Sequence, residues 1–286
     1  LDLIDRKTRR VHTTFQQTVT ATGRLSSADP NLQNIPIRME MGRMIRRIFV
    51  PKEGFVLLAG DYSQIELRIL AHISGDSTLI DSFLKDEDIH RRTASEVFGA
   101  PIDQVTADMR SRAKAVNFGI VYGISDFGLS QNLGVPRAEA KAYIDSYFAR
   151  YPGVKAYMES TVASAREKGY VTTMFGRRRY LHDINSPNRN LRMFAERTAI
   201  NTPIQGTAAD IIKLAMVDIS SAMAEAGLAS RMILQVHDEL VFEVPPTEVE
   251  AVRALVKGRM ENAVSLSVPL RVDMKSGPNW YDMRPM

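Results

Sequence analysis

Two acidic residues that lie far apart in the chain occupy positions typical of catalytic or metal-binding carboxylates. Asp61 is near the end of the apolar run 55–62, which follows a proline and a glycine and predicts a buried strand. Asp238 lies between the β-rich runs 232–236 and 240–244, which predict a hairpin with acids at its tip. Strand ends hold side chains at the rim of a sheet, so we expect both carboxylates to face one cleft.

Paired carboxylates of this kind suit a hard cation. Mg²⁺ takes oxygen ligands, retains several water molecules and usually accepts its remaining ligands from substrate phosphates. Zinc is disfavoured because the chain has no cysteine and none of its histidines forms a ligand pair at helical spacing. An acid at a strand end is also common as a solvated turn residue or a helix cap, so neither acid alone establishes a metal site.

A second group combines two cations and two aromatic rings at intervals of four residues: Arg110, Lys114, Phe118 and Tyr122. At about 100° per residue, this spacing aligns them along one face of a helix. Such a face suits a triphosphate, whose oxygens bind the cations while Phe118 stacks on a sugar or base. Thr106 stands at the predicted start of this helix as a cap. The same spacing also describes a solvated basic turn followed by core aromatics.

The elements around these residues predict an α/β or α+β body without a fixed repeat or a long linker. Residues 64–72 and most of 76–149 have helical spacing, and residues 171–181 predict a hairpin around Phe175 and Gly176. From Asn190 onward the pattern is helical again. Pro203 and Gly206 interrupt it, which predicts two helices with a bend.

Composition excludes several classes of protein. The 286 residues carry a net charge of +4 and no cysteine, which excludes disulfide scaffolds, cysteine-ligated metals and thiol nucleophiles. No apolar run approaches the roughly 18 residues of a membrane span. Neither the P-loop motif nor the Gly-x-Gly-x-x-Gly motif is present. Any bound phosphate therefore meets metal ions and side chains, and the mild basicity permits a nucleic-acid surface.

Four sequence blocks, in order, resemble the signature blocks of family A DNA polymerases. They are TGRLSS with DPNLQNIP at 22–36, DYSQIELR at 61–68, the segment 110–123, and QVHDE at 235–239. The similarity runs over nearly the whole chain and ends near the GPNW segment at 277–280.

The resemblance implies an α+β fold of the right-hand type, in which an antiparallel palm sheet with helices carries an inserted helical fingers subdomain. The expected boundaries are 1–80 for the first part of the palm with the base of a thumb, 81–190 for the fingers, and 191–286 for the second part of the palm. Family members place a thumb and an exonuclease-like domain before the segment where this chain begins. For this chain alone we therefore expect low processivity and no exonuclease activity.

The resemblance also assigns roles to individual residues. Asp61 and Asp238 would hold two Mg²⁺ ions, for which Mn²⁺ is a possible substitute, with the main-chain carbonyl of Tyr62 as a further ligand. Glu239 would support this site, and the expected catalytic set is Asp61, Asp238, Glu239 and Lys114. The expected nucleotide-binding residues are Gln64, Glu66, His90, Arg110, Lys114, Phe118 and Tyr122. The expected DNA-binding residues are Arg24, Arg197, Asn201, Gln205, Gln235 and His237.

These roles imply a DNA-templated DNA polymerase that acts in DNA replication and repair. Its partners would be primer–template DNA and deoxyribonucleoside triphosphates, with no membrane, and its location the bacterial cytoplasm near the nucleoid. Glu66 with Tyr122 resembles the family's barrier to a 2′-hydroxyl. Two alternatives remain open: a single-subunit RNA polymerase-like nucleotidyltransferase, and a non-catalytic module that binds primer–template.

Overall fold

The chain combines antiparallel sheets with long uninterrupted runs of helices, which confirms the predicted α+β class. The structure is a computed structural model that describes residues 3–36 and 39–286. The strands are β1 (Thr14–Gln16), β2 (Ser26–Ala28), β3 (Val56–Tyr62), β4 (Tyr170–Thr172), β5 (Arg178–Tyr180), β6 (Arg231–Val236), β7 (Glu239–Val244), β8 (Val272–Gly277) and β9 (Arg284–Pro285).

The helices account for most of the remaining regular structure. They are α1 (Glu40–Met44), α2 (Ile65–Ser74), α3 (Ser77–Leu84), α4 (Ile89–Phe98), α5 (Ala107–Val121), α6 (Asp126–Leu133), α7 (Arg137–Arg150), α8 (Pro152–Lys168), α9 (Arg189–Glu225) and α10 (Val249–Glu261). None of the helices in the described ranges is both long enough and apolar enough to cross a membrane.

The chain divides into two units. The first comprises the chain up to Ile65 together with Ala208–Val264 and Leu270–Met286, and the second comprises Glu66–Thr207 and Ser265–Pro269. The two units meet after residues 65 and 207, whereas the boundaries expected for the palm and fingers subdomains are 80/81 and 190/191. The palm and fingers assignments stay predictions.

A five-stranded antiparallel sheet forms the centre of the first unit, in the order β6-β7-β3-β8-β9. Helix α10 covers one face, where Val252, Val256 and Met260 are fully buried. A Cβ on Gly60 would lie 3.1 Å from the Met260 sulfur and 3.3 Å from a Val256 methyl, so glycine allows this close packing. Because side chains alternate along a strand, Asp61 faces the other side of the sheet.

The opposite face is covered by loops rather than by a helix. Trp280 is buried there with Leu57, Val236 and Val241, and Phe49 packs edge-on against its ring at 5.4 Å between centroids. This apolar cluster covers part of the face that carries Asp61.

The second unit is mainly helical, with a small hairpin of β4 and β5. Tyr147 and Tyr151 are fully buried in it, with ring centroids 4.7 Å apart. Asp76 caps α3 by accepting a bond from the Leu79 amide, and its second oxygen accepts a 2.8 Å bond from Gly153 at the start of α8. One buried carboxylate thereby fixes two helix starts.

The predicted break at Pro203 is wrong, because α9 continues through it as one helix. A proline inside a helix removes its own amide donor, and its ring crowds the carbonyl of the residue four positions earlier, here Ala199. Ala199, Ile204, Ala208 and Ile211 are buried on both sides of it, so the apolar stripe of the helix is continuous. Burial of that stripe outweighs both the lost hydrogen bond and the steric cost of the proline ring.

Candidate active site

Carboxylates on three neighbouring strands face the same side of the first unit's sheet. Asp61 on β3 lies directly opposite Glu239 on β7 and directly opposite Asp273 on β8. Directly opposed residues of antiparallel strands have neighbouring side chains on one face. We call Glu239, Asp61 and Asp273 the acid row.

Asp238 lies at the end of this row. Val236 pairs with Glu239, so His237 and Asp238 form a two-residue hairpin turn in which His237 has a left-handed φ of 55°. The Tyr62 amide donates a 3.1 Å hydrogen bond to the Asp238 carbonyl. Folding thus brings the backbone of Asp238, in the turn that precedes β7, next to β3, the strand that carries Asp61.

Burial disfavours the charged forms of two acids in the row, Asp61 and Glu239. Burial raises the pKa of Asp61; nearby Lys275 and Arg46 oppose this effect, whereas Asp273 adds to it. Burial and the charge of Asp61 raise the pKa of Glu239, while Arg46 lowers it. A bound divalent cation would relieve both effects, and oxygen donors of this kind fit Mg²⁺.

No three His, Asp or Glu side chains within residues 3–36 and 39–286 converge to ligate one ion. A cation held by Asp61 and Asp238 would therefore take its other ligands from a main-chain carbonyl, such as that of Tyr62, from water and from substrate. That division of ligands is the usual one for Mg²⁺ at phosphate-transfer sites.

Three predicted DNA-binding residues lie together beside Asp238. Arg24, Gln235 and His237 line one narrow cleft with Lys213, a residue that the sequence analysis did not single out. Gln235 is buried, and its Nε2 donates a 2.6 Å bond to the His237 carbonyl. Burial, Arg24 and Arg46 lower the pKa of His237, so the ring is neutral at physiological pH. The predicted nucleotide-binding residue Gln64 follows β3 with a left-handed φ of 56°.

The predicted phosphate-binding residues of the second unit lie on the packed helices α4 and α5. The Thr106 side chain caps α5, as predicted. Asp88 caps α4 through its Oδ1, and its Oδ2 accepts a 2.6 Å bond from Arg110 Nε. Lys114 is exposed, and its Nζ lies 5.8 Å from the centroid of the Phe118 ring.

The protonation of His90 follows from a buried chain of hydrogen bonds. The Thr93 hydroxyl donates to Asn117 Oδ1 at 3.1 Å, which leaves the Asn117 amide nitrogen to donate to His90 Nδ1 at 3.0 Å. Nδ1 is thus an acceptor, and the proton of the neutral ring lies on Nε2. Burial, opposed by Asp88 and reinforced by Arg110 and Lys114, lowers the pKa of His90 to about 4.

This buried neutral histidine predicts a pH-dependent stability. An unfolded histidine titrates near pH 6.5, so the unfolded state binds more protons than the folded state between about pH 6.5 and 4. We expect His90 to contribute a fall of about 2 kcal/mol in the free energy of unfolding as the pH drops through that window. Urea unfolding at several pH values measures the fall, which should be shallower for His90→Gln. His182→Gln, at an exposed site, is the control, and equal slopes for all three proteins would contradict the prediction.

Glu66 and Tyr122 are in contact in the second unit. The Tyr122 hydroxyl donates to Glu66 Oε2 at 3.1 Å, and Glu66 is buried in the first turn of α2. Helix α5 ends at Val121, so Tyr122 lies just beyond the helix that carries Arg110, Lys114 and Phe118.

The remaining predicted DNA-binding residues follow one another along α9. Arg197, Asn201 and Gln205 are four residues apart and share one helical face. The buried Oδ1 of Asn201 has no hydrogen-bond partner in the part of the chain that the structure describes. An acceptor in this state suits a donor from a ligand.

Several residues of the site have no signal in the sequence. Asp273 and Lys275 lie on β8, where alternation marks only a strand, and their proximity to Asp61 depends on long-range pairing. Arg46 is one of many basic residues scattered along the chain, and nothing in its spacing distinguishes it. Trp280 lies in the GPNW segment, where the family similarity ends.

The chain was compared with known protein families and with individual proteins, and the matches extend over nearly its whole length. The family model described as DNA polymerase family A matches residues 1–282, so the chain belongs to that family. The chain is 60% identical over 276 residues to DNA polymerase I of Bacillus subtilis, covering 96% of this chain and 31% of that protein. It is 58% identical over 285 residues to DNA polymerase I of Geobacillus stearothermophilus, covering 99% of this chain and 32% of that protein.

A solved structure agrees over nearly the whole chain. The POL domain of Pol1 from M. smegmatis, in complex with DNA primer–template and dNTP, superposes with a TM-score of 0.94 at 50% identity, covering 98% of this chain and 49% of that one. The chain spans about a third of the length of the curated relatives that it matches.

Proposed function

We propose that the chain is a DNA-templated DNA polymerase that adds deoxyribonucleotides to a primer 3′-OH, releases pyrophosphate and serves DNA replication and repair. The observation that carries the proposal is the pairing of Asp61 with Glu239 beside the bond from Tyr62 to Asp238. This pairing holds acids that are distant in the chain on adjacent strands. The names of the relatives support DNA and dNTP as partners. A location in the bacterial cytoplasm near the nucleoid is consistent with a role in DNA replication and repair.

The acids of the first unit suit the reacting end of the primer. Asp61 and Asp238, with the Tyr62 carbonyl, would hold two Mg²⁺ ions, for which Mn²⁺ would substitute. When bound, the ions lower the pKa of the primer hydroxyl and neutralise charge on the phosphates. Arg24, Gln235 and His237 would bind the DNA next to Asp238. Donors at the minor groove test base-pair geometry without reading sequence.

The cations of the second unit suit the incoming nucleotide. Lys114 and Arg110 offer positive charge, and the Nε2 proton of neutral His90 offers a hydrogen bond, to the triphosphate. The Phe118 ring, 5.8 Å from that of His90, would pack on the sugar. Arg197, Asn201 and Gln205 would contact the template.

The proposal is tested by extension of a labelled primer with Mg²⁺, using separate deoxyribonucleotide and ribonucleotide pools. We expect extension with deoxyribonucleotides only, and loss of extension with a chelator. Extension with ribonucleotides alone would identify the RNA polymerase alternative. Binding of primer–template with no extension under any metal condition would identify a non-catalytic module.

Glu66 is expected to set the choice of sugar. Replacement by Ala should raise the efficiency of ribonucleotide incorporation relative to deoxyribonucleotide by about tenfold or more, because the buried carboxylate packed by Tyr122 would exclude a 2′-hydroxyl and alanine would not. The ratio of kcat/KM for matched nucleotides measures the effect. Glu139→Ala is the matched control, because it removes another Tyr–Glu bond of the second unit, from Tyr143. An unchanged ratio in Glu66→Ala would refute the assignment.

A further inference from the structure

Arg46 occupies an unusual position beside the acid row. It lies in the 3₁₀ turn Ile45–Ile48, and its guanidinium carbon is 4.0 Å from the centroid of the Trp280 ring. Trp280 is buried, so this platform is fixed. A guanidinium over an aromatic ring keeps its N–H groups available at its edge.

Among the described residues the Arg46 guanidinium forms no hydrogen bond and no ion pair, and its buried Nε–H is unpaired. Its neighbours differ: Arg43 pairs with Glu40, and Arg47 Nε lies 3.7 Å from Asp282. Nothing in the described part of the chain therefore uses the donors that Arg46 offers.

The two acids that act on Arg46 electrostatically form no ion pair with it. Asp61 and Glu239 attract Arg46 electrostatically, yet the indole nitrogen of Trp280 donates to the Glu239 carboxylate at 3.3 and 3.4 Å. The indole thus supplies Glu239 with a donor while its ring supports Arg46. Cations bound to the acids would cancel their attraction and leave the charge of Arg46 for an anion.

We propose that Arg46 binds a phosphate group at the acid row. This inference rests on the proposed function, which brings phosphates to that face. The planar fork of N–H donors matches two phosphate oxygens at once. The phosphate belongs either to the backbone of the primer–template or to the triphosphate and its pyrophosphate product.

The test compares R46Q with R43Q, an adjacent arginine that has an acidic partner, and with R46K. Primer–template affinity and its salt dependence are measured by fluorescence anisotropy without nucleotide. The KM for a matched deoxyribonucleotide and the rate of pyrophosphorolysis are measured separately. Thermal melting confirms that each variant is folded.

If Arg46 binds a phosphate of the DNA backbone, R46Q should weaken primer–template binding by about tenfold. The slope of log affinity against log salt concentration should fall by about one, and the nucleotide KM should stay unchanged. If Arg46 binds the triphosphate or pyrophosphate, R46Q should have a nucleotide KM about tenfold higher and slower pyrophosphorolysis, with unchanged DNA affinity. In both cases R46K should recover only part of the loss, because an ammonium lacks the fork.

The inference is overturned if R46Q and R43Q differ by less than about twofold in every measurement. Loss of a single charge-assisted hydrogen bond to phosphate should change affinity by more than about twofold. If the wild-type chain itself extends no primer, the proposed function has failed and not this inference alone. Loss of phosphate binding in R46Q, with an active wild-type chain, supports both.

Discussion

Replacement of Asp61 by Asn is expected to slow primer extension at least about a thousandfold, which corresponds to about 4 kcal/mol at the barrier. Asn has nearly the shape of Asp but lacks the charge that binds a divalent ion. Rapid-quench measurement of a single nucleotide addition, at saturating Mg²⁺, gives the rate. Primer–template affinity should change little.

Two controls separate this effect from damage to the fold. Because burial raises the pKa of Asp61, its ionised form costs stability at neutral pH, and Asp61→Asn should melt at the same temperature as the wild type or higher. Asp273→Asn removes the acid directly opposite Asp61 on β8, and it should slow extension by less than about tenfold. Extension by Asp61→Asn at the wild-type rate would end the catalytic proposal.

Replacement of Lys114 by Ala is the second large effect we expect, with kcat/KM for the incoming nucleotide lower by about a hundredfold or more. Lys114 is exposed on α5, and no acidic partner lies within ion-pair distance in the described part of the chain. Its charge is therefore available to the triphosphate. A charge that acts in the transition state should lower kcat as well as raise KM.

The matched control for Lys114 is Arg112, two residues earlier on the same helix. Its Nε pairs with Asp108 at 2.8 Å, and Arg112→Ala should leave kcat/KM within about threefold of the wild type. Lys114→Arg should recover part of the activity. Equal losses in the Lys114 and Arg112 variants would indicate a general effect of charge or helix stability.

Local sequence patterns predicted the parts of the fold that depend on near neighbours. The run 55–62 became β3, Val56–Tyr62, and the runs around Asp238 became the hairpin of β6 and β7. The hairpin of β4 and β5 also lies where alternation and Gly176 predicted it. Each of these signals needs only periodicity and turn chemistry within a few residues.

Features that depend on contacts between residues far apart in the chain could not be predicted from local sequence patterns. Asp273 looks like any exposed strand residue until β8 pairs with β3. The stacking of Arg46 on Trp280 joins opposite ends of the chain. Pro203 shows the reverse case. Its local sequence signal predicts a helix break, but burial of apolar residues along α9 keeps the helix continuous.

The alternation along β3 limits how this strand can evolve. Gly60 packs against Val256 and Met260, whereas Asp61 belongs to the acid row on the other face. Insertion or deletion of a single residue ahead of Asp61 would reverse the two faces and drive a carboxylate into apolar packing. The length of this segment therefore cannot change by an odd number of residues without moving Asp61 out of the acid row.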